Sequence, residues 1–342
     1  MNKQADQGNT PASVRREITL IIHSNEKIRI DKYLAGLGIK ELLSRSFIDT
    51  LFESNLITVN GKIAKKSDQI RNFGIVKIRI PERPEQKLIP EKIDLDIVYE
   101  DENIAIVNKP AGMVVHPSPG HYRGTLANAL LSHFERLSNE NSCRPGIVHR
   151  LDMNTSGLMI IAKDIYTHTL LRKMFESHEI KKTYLAFTMG NLDKKEDTIH
   201  TYYGRNPRNR QKMAVLPEGK EAITHYKVIN SYPGFDLTKI LLETGRTHQI
   251  RVHFSHLHHP VMGDKTYSSK RQLINLVPFS MKDTIKYILE NILTRQALHS
   301  YEIEFIHPIS HETIHAHKEL PDDMKKVLEV VQEDMPANAN SG

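Results

Sequence analysis

Apolar residues in the first quarter of the chain recur first with the spacing of helices and then with the alternation of strands. This spacing predicts one helix near residues 30–37 and a second after Ser44, which is placed to act as its N-cap. Two short strands are predicted around Asn60-Gly61, because Asn-Gly is the strongest short hairpin signal. Residues 75–80 alternate apolar and basic positions, as a half-buried strand does.

Beyond residue 92, strand and helix patterns alternate without repeats. The predicted strands are 104–108, 113–116, 146–149, 158–163, 183–188, 222–230 and 236–243. The predicted helices are 125–137, 166–178, 247–257 and 281–293. Their order is too irregular for a doubly wound parallel sheet, and no GxGxxG or GxxxxGK[ST] loop occurs. We therefore predict an α+β fold with a mixed, largely antiparallel sheet and flanking helices.

Changes in composition divide the chain into segments. We expect a disordered tail at 1–17, a small basic domain at 18–82, a Pro-rich linker at 83–91, a large domain at 92–325 and a C-terminal tail at 326–342. About 55 residues of the small domain carry regular patterns, which is enough for independent folding.

Composition narrows the class of protein further. Of the 342 residues, 39% are hydrophobic, which supports a real core, and no apolar run approaches the roughly 20 residues of a membrane span. The polar N-terminus lacks a secretory signal pattern, so we expect a cytoplasmic protein that does not bind membranes. A single cysteine, Cys143, excludes an intramolecular disulfide framework and a cysteine-based zinc site.

The net charge of +6 is concentrated near the N-terminus. Residues 27–79 contain eleven basic and five acidic residues, and the remaining chain contains 36 of each. A whole-chain value this small does not identify a nucleic-acid partner. Its position points to the small domain as the candidate polyanion-binding part.

The most concentrated polar loop is residues 144–158, RPGIVHRLDMNTSGL, between two predicted strands. Polar groups gathered there must be satisfied by one another, by water or by a ligand. One interpretation makes Asp152 a functional carboxylate. The other makes it a turn cap with Arg150 as its surface ion-pair partner.

Two further segments could supply partners for this loop. If Thr247 caps a helix, His248 and Arg251 lie on one face, and the guanidinium could keep a carboxylate such as Asp152 charged. The alternative is a solvated helix face. Tyr184, in KKTYLAF, would either line a cleft and stack on a base or pack with its hydroxyl in water.

A histidine-rich segment raises the question of a metal. His253, His256, His258 and His259 are close in sequence, with Asp264 nearby. Catalytic zinc sites need three ligands in fixed geometry, and neither HExxH nor HxH…D occurs. We therefore expect no metal site, while a histidine-dependent hydrolase remains an alternative.

The motifs together resemble the RluA-type family of RNA pseudouridine synthases, and most closely its ribosomal large-subunit pseudouridine synthase D branch. In chain order they are NKPAGMVVHPSPG, GTLANALLSHF, GIVHRLDMNTSGLMIIAKD, KKTYLAF, EAITHYKV, LETGRTHQIRVHFSHLHHPVMGD and RQALHSYEIEFIHP. They cover most of residues 92–320. The resemblance implies the pseudouridine synthase fold for this part of the chain.

The small domain resembles the RNA-binding domain of the ribosomal-protein S-four type. The matching pieces are RIDKYL, SRS and VNGK, whose basic residues we expect to contact RNA. These residues are Arg29, Lys32, Arg45 and Lys62. Asn55 stands where glycine is usual, and residues 72–74 replace the usual Gly-Asp.

The family resemblance implies an activity and roles for individual residues. Uridine in RNA becomes pseudouridine without a cofactor, after the nucleotide is flipped into a pocket. Asp152 matches the catalytic carboxylate, which either attacks C1′ or removes the 2′ proton. Arg251 matches its ion-pair partner, and Tyr184 the aromatic residue that stacks on the uracil. Arg150 matches the residue that fills the space left by the base, and His149 is expected beside it in substrate binding.

The resemblance also favours one RNA partner. We expect large-subunit ribosomal RNA or its precursor as substrate, and a monomer without an obligate protein partner. The alternative function is that of an RNA-binding ribosome-assembly factor whose catalytic site is vestigial.

Overall fold

The computed structural model describes residues 14–334 except 24–25, 40–41, 43–44, 72, 82–87, 119 and 140–141. The side chains of residues 14, 15, 45 and 46 also lie outside this description. The chain divides into two compact units, residues 1–86 and 87–342. Within the described residues, no helix has the length and apolar character needed to cross a bilayer.

The N-terminal unit combines a small sheet with two helices. Its strands are β1 (Val14–Ile21), β2 (Ile28–Arg29), β3 (Ile57–Val59), β4 (Lys62–Ile63), β5 (Gln69–Ile70) and β6 (Ile75–Pro81), and its helices are α1 (Ile30–Gly36) and α2 (Arg45–Glu53). One sheet has the order β1-β6-β3-β4, and β2 pairs with β5. The alternating residues Val76, Ile78 and Ile80 of β6 enter a core with residues of both helices, as the pattern predicts.

The predicted Asn-Gly hairpin is confirmed. Asn60 and Gly61 both have positive φ, at 50° and 80°, and they connect β3 to the antiparallel β4. Asn60 Oδ1 also accepts a hydrogen bond from the backbone N–H of Ile75. Asn55 has φ 56°, a left-handed conformation that asparagine tolerates better than most residues. Ser44, the predicted cap of α2, lies outside the described residues.

The C-terminal unit is organised around a ten-stranded sheet. Its strands are β7 (Asp96–Glu100), β8 (Ile104–Lys109), β9 (Ser156–Ala162), β10 (Lys181–Met189), β11 (Glu196–Arg205), β12 (Met213–Leu216), β13 (Lys220–Tyr232), β14 (Phe235–Leu242), β15 (Leu298–Ile306) and β16 (Thr313–His317). The helices are α3 (Leu126–His133), α4 (Ile165–Glu176), α5 (Gln249–His256), α6 (Lys270–Asn275), α7 (Lys282–Asn291) and α8 (Asp322–Asp334).

The order of this sheet is β12-β11-β13-β14-β10-β15-β9-β8-β7, with β16 paired to β15. The parallel pair is β15 with β9, and the other described pairs are antiparallel. This confirms the predicted α+β class. Alternate residues of β9 enter two apolar clusters, Met159 and Ile161 one cluster and Leu158 and Ile160 the other. A strand buried on both faces therefore reads as a continuous apolar run.

Two predicted strands are wrong. Residues 113–116 form a loop, and in 146–149 only an isolated bridge from Ile147 to Ile161 is present. Both segments are short apolar runs that coil can bury equally well. The sequence patterns also missed β7, β11, β12, β15 and β16, together with α6 and α8.

The predicted tails overlap regular structure. Residues 14–17 of the N-terminal tail belong to β1. Helix α8 continues nine residues into the C-terminal tail, where it buries Val327 and Val331. These valines lie one turn apart on a helix face, so apolar packing holds the segment.

The close approach of β9 and β15 gives a stability prediction. Gly157 has φ +112°, and a Cβ there would lie 2.2 Å from the carbonyl oxygen of Ser300. We expect Gly157→Ala to lower the free energy of unfolding by about 3 kcal/mol or more, since it combines steric overlap with backbone strain. Urea unfolding measures this loss.

The matched control is Gly112→Ala. Gly112 also has positive φ, at +85°, but a Cβ there meets nothing within 4 Å. This variant should lose only the strain energy, about 1 kcal/mol. Equal losses in the two variants would contradict the steric explanation.

Candidate active site

Asp152 lies in a tight turn directly before β9. The backbone N–H of Thr155 donates to the carbonyl oxygen of Asp152 at 3.1 Å, which closes the turn. The turn ends where β9 begins. Because β9 is buried between β15 and β8, this end of the turn is held in place. The Asp152 side chain is 18% exposed, so it is largely desolvated but open to a ligand.

Arg251, in α5, contacts two carboxylates. Its Nη1 lies 2.9 Å from Asp152 Oδ2. Its Nε and Nη2 donate to the two oxygens of Asp264, at 2.7 and 2.9 Å. Burial disfavours the charge of Arg251, but its hydrogen bonds and proximity to the two carboxylates raise its pKa above the usual value. The predicted partnership of Arg251 with Asp152 is therefore present in the geometry, and Asp264 is a partner that the sequence patterns missed.

The start of α5 differs from the prediction. Thr247 does not cap the helix; His248 occupies the N-cap position with a left-handed φ of 60°, and the helix begins at Gln249. Buried Gln249 accepts from the backbone N–H of Arg246 and donates to the carbonyl oxygen of Ile223. This side chain anchors the start of α5 to β13.

His248 joins the same cluster. Its Nε2 lies 3.7 Å from Asp152 Oδ1, and its Nδ1 is 2.9 Å from the hydroxyl of Tyr267. Burial lowers the pKa of His248, and the charge of Asp152 opposes this effect. Tyr267 also lies beneath the Arg251 guanidinium, with 5.2 Å between the guanidinium carbon and the ring centre.

Tyr184 comes from β10, the neighbour of β15. It is 6% exposed, and burial raises the pKa of its hydroxyl well above the usual value. It lines a small cavity of about 60 Å³ together with Asp152, His248 and Arg251. The phenol therefore stays protonated and offers an aromatic surface to this cavity.

A larger cleft of about 400 Å³ opens on three of these side chains, and Tyr184 is not among them. Asp152, His248 and Arg251 are shared between the two spaces, and exposed Arg150 lines both. His149 does not line either of them in the described part of the chain. Its Nε2 accepts the backbone N–H of Ile160 at 2.9 Å. This ring nitrogen is therefore used within the fold, and the substrate contact of His149 stays a prediction.

Two of the four histidines of the metal alternative make hydrogen bonds within the fold. Buried His253 hydrogen-bonds to the hydroxyls of Thr201 and Thr224, and His259 contacts the carbonyl oxygen of Met189. Within the described residues, the group close enough to share an ion is a different one. It consists of Glu302, Glu304 and His315. Lysines 181 and 239 already pair with its two carboxylates, at 2.8 and 3.5 Å.

The predicted RNA-contacting residues of the N-terminal unit lie on several elements. Lys32 is exposed on α1, Lys62 is exposed on β4, and Arg45 begins α2 with its side chain outside the described residues. Arg29 forms a fork with Asp31, with bonds of 3.1 and 2.9 Å. Its charge is therefore partly neutralised, whereas the two lysines remain available on the surface.

Most of the side chains that line the small cavity beside Asp152 lie in a segment of the chain that matches a known protein family. Residues 103–256 match the family model of RNA pseudouridylate synthase. The matched segment contains Asp152, Tyr184 and Arg251. Together with a relative that is 39% identical over 91% of this chain, the match shows that the chain is an RNA pseudouridine synthase, an isomerase that acts on RNA.

Curated relatives define the family more narrowly. The chain is 39% identical over 315 residues to an uncharacterized RNA pseudouridine synthase of Aquifex aeolicus, covering 91% of this chain and 96% of that protein. It is 40% identical over 308 residues to the ribosomal large subunit pseudouridine synthase D of Neisseria meningitidis, covering 89% and 79%. The chain belongs to the RluA-type family of RNA pseudouridine synthases.

A solved structure agrees on the fold. Human RNA Pseudouridylate Synthase Domain Containing 4 matches with a TM-score of 0.50 and 23% identity, covering 69% of this chain and 92% of that one.

The contact between Arg251 and Asp264 gives a testable prediction. Asp264→Asn removes the charge that orients the guanidinium. We expect uridine isomerisation to slow by about 10- to 100-fold, because Asp152 loses its fixed partner. The free energy of unfolding should fall by about 3 kcal/mol, since a buried ion pair is broken. Single-turnover kinetics and urea unfolding measure the two effects.

The control is Glu196→Gln, which breaks an exposed pair with Lys227. Exposed pairs contribute little, so the unfolding free energy should change by about 0.5 kcal/mol or less. An Asp264→Asn enzyme with the wild-type rate would show that Asp264 does not orient Arg251.

Proposed function

We propose that the chain isomerises specific uridines of large-subunit ribosomal RNA to pseudouridine, with Asp152 as the catalytic carboxylate. The observation that carries the proposal is the 2.9 Å contact between Arg251 and Asp152 at the cleft. The alternative is an assembly factor with a vestigial catalytic site. We disfavour it because Asp264 orients Arg251 and Arg251 in turn holds the largely buried carboxylate of Asp152. The choice of RNA rests on relatives named ribosomal large subunit pseudouridine synthase D.

The chemistry moves the glycosidic bond of the nucleoside. The bond from C1′ to N1 of uracil breaks, a bond from C1′ to C5 forms, C5 loses its proton and N1 gains one. Asp152 either attacks C1′ or removes the 2′ proton, and both routes need the carboxylate in its charged form. Arg251 stabilises that charge through a charge-assisted hydrogen bond in the partly dry cleft.

Three further residues have proposed roles in this reaction. Tyr184 stacks on the uracil that has been flipped out of the RNA. Arg150, exposed at the mouth of the cleft, fills the space that the base vacates. His248 lines the same cleft and restricts how the carboxylate can turn.

We also propose that the N-terminal unit, as a domain of the ribosomal-protein S-four type, holds RNA by its backbone. The support is the concentration of charge in residues 27–79 and the exposure of Lys32 and Lys62. Lysine contacts with phosphate add affinity without reading sequence.

Asp152→Asn tests the catalytic assignment. The amide has nearly the same size but carries no charge. Release of tritium from RNA containing C5-labelled uridine should fall by about 10³-fold or more, while RNA binding is retained. The assay contains no added metal or nucleotide. Asp197→Asn, which alters a surface carboxylate paired with Lys194, serves as the control and should keep full activity. Persistent release from Asp152→Asn would refute the assignment.

Replacing both Lys32 and Lys62 with alanine tests the RNA contact. RNA affinity should fall, and the slope of its logarithm against the logarithm of salt concentration should decrease by about one for each lysine. Filter binding over a range of salt concentrations measures both. The control Lys326→Ala removes an exposed lysine of α8 that pairs with Glu329. If the double variant kept the wild-type slope, these lysines would not contact phosphate.

A further inference from the structure

A fully buried ammonium contacts the turn that carries Asp152. Lys109, the last residue of β8, is 0% exposed. Its Nζ donates to the carbonyl oxygens of Pro110, Met113 and Met153, at 2.8, 2.9 and 2.9 Å. A protonated lysine has three N–H groups, so these three acceptors use all of them. One acceptor belongs to the residue directly after Asp152.

A second buried cation holds the next residue of the turn. Nη1 of Arg295 donates to the carbonyl oxygen of Asn154 at 3.2 Å. Its Nε and Nη2 form a fork with Asp323 of α8, with bonds of 2.7 and 2.8 Å. The two residues that follow Asp152 are thus each tied to a different cation. Gln296 adds a third tie by donating to the hydroxyl of Thr155 at 3.3 Å.

The three buried cations near the turn, Lys109, Arg251 and Arg295, differ in whether they form an ion pair with a carboxylate. Arg251 and Arg295 each have a carboxylate of their own on a fork. Among the described residues, no ion pair joins Lys109 to a carboxylate. Burial and, to a smaller extent, the charge of Arg295 lower the pKa of Lys109 to about 7, although the charge of Asp152 acts in the opposite direction. Asp152 is therefore the carboxylate that helps to keep this ammonium charged.

We propose that Lys109 and Arg295 are positioning residues that fix the backbone of residues 152–155 and thereby the place of the Asp152 carboxylate. Burying a cation without a carboxylate partner in an ion pair is costly. A lysine is suited to this position because three carbonyl oxygens converge there. The inference rests on the proposed catalytic role of Asp152.

Lys109→Met tests the proposal in the full chain. Methionine has a similar volume but removes the donor that joins these three carbonyl oxygens, and Met153 keeps only the N–H of Gly112 at 2.9 Å. The single-turnover rate of tritium release should fall by about tenfold or more, because a displaced carboxylate reacts slowly. RNA affinity should stay within about twofold of the wild-type value. A purely structural role would lower stability and leave the rate of the folded protein unchanged.

The matched control is Thr188→Val. Thr188 is buried like Lys109, but its hydroxyl hydrogen-bonds to Thr238 rather than to the turn. We expect this variant to lose stability and to keep the rate. A folded Lys109→Met enzyme with a rate within about twofold of wild type would overturn the proposal.

The pH dependence gives a second readout. A neutral amine has only two N–H donors, so the wild-type rate should fall as pH rises through the pKa of Lys109, about 7. Between that value and the usual 10.5, the unfolded chain binds more protons at this lysine than the native state does. The contribution of Lys109 to the free energy of unfolding therefore rises with pH over the same range. Lys109→Met should lack this decline in rate, and a decline that persists unchanged would contradict the proposal.

The remaining outcomes are also decisive. If Lys109→Met does not fold, Arg295→Lys takes its place, because it keeps a cation but loses the fork. The same criteria of rate and RNA affinity then apply. Wild-type protein that releases no tritium refutes the proposed function. Suppose that the wild type releases tritium, that Asp152→Asn does not, and that Lys109→Met does so at the wild-type rate. This result refutes the positioning role and leaves the proposed function standing.

Discussion

The guanidinium of Arg251 is shared between two carboxylates, and the geometry of the cleft depends on this sharing. A planar guanidinium that binds one carboxylate through Nε and Nη2 has the direction of its remaining nitrogen fixed. Asp264 occupies the fork and leaves Nη1 to Asp152. The position of the Asp152 carboxylate thus requires α5, the loop after α5 and the turn before β9 to meet. A displacement of any one of them would therefore move the Asp152 carboxylate.

The central strands bring these parts together. Ser300 of β15 pairs with Gly157 on one side and with Tyr184 on the other. The turn that carries Asp152 and the strand that carries Tyr184 are therefore fixed to the same strand. Hydrogen bonds within the fold hold the charged groups of Asp152, Arg251 and Asp264 in fixed positions, as an electrostatically preorganised site requires. Burying the charges of Arg251 and Arg295 costs free energy. Their ion pairs with Asp264 and Asp323 offset part of that cost.

The sequence predicted features that depend on local chemistry or on motifs. The Asn60-Gly61 hairpin follows from backbone preferences, and Asp152, Tyr184 and Arg251 follow from a resemblance whose residues the structure brings together. The roles of Asp264, Lys109 and Arg295 were not predicted, because their partners are distant in sequence or are backbone carbonyls, which leave no pattern in side chains. The cap at Thr247 failed for a related reason. Tertiary contacts of His248 and Gln249 hold the start of α5, so capping propensity did not decide its first residue.

The most direct test of the account is made in cells. Pseudouridines are mapped in large-subunit ribosomal RNA from cells that lack this protein and from the same cells supplied with wild-type protein or with Asp152→Asn. If Asp152 is the catalytic carboxylate, specific pseudouridines should disappear without the protein, return with the wild type and stay absent with the variant. Their return with Asp152→Asn, or the loss of none of them when the protein is missing, would contradict it.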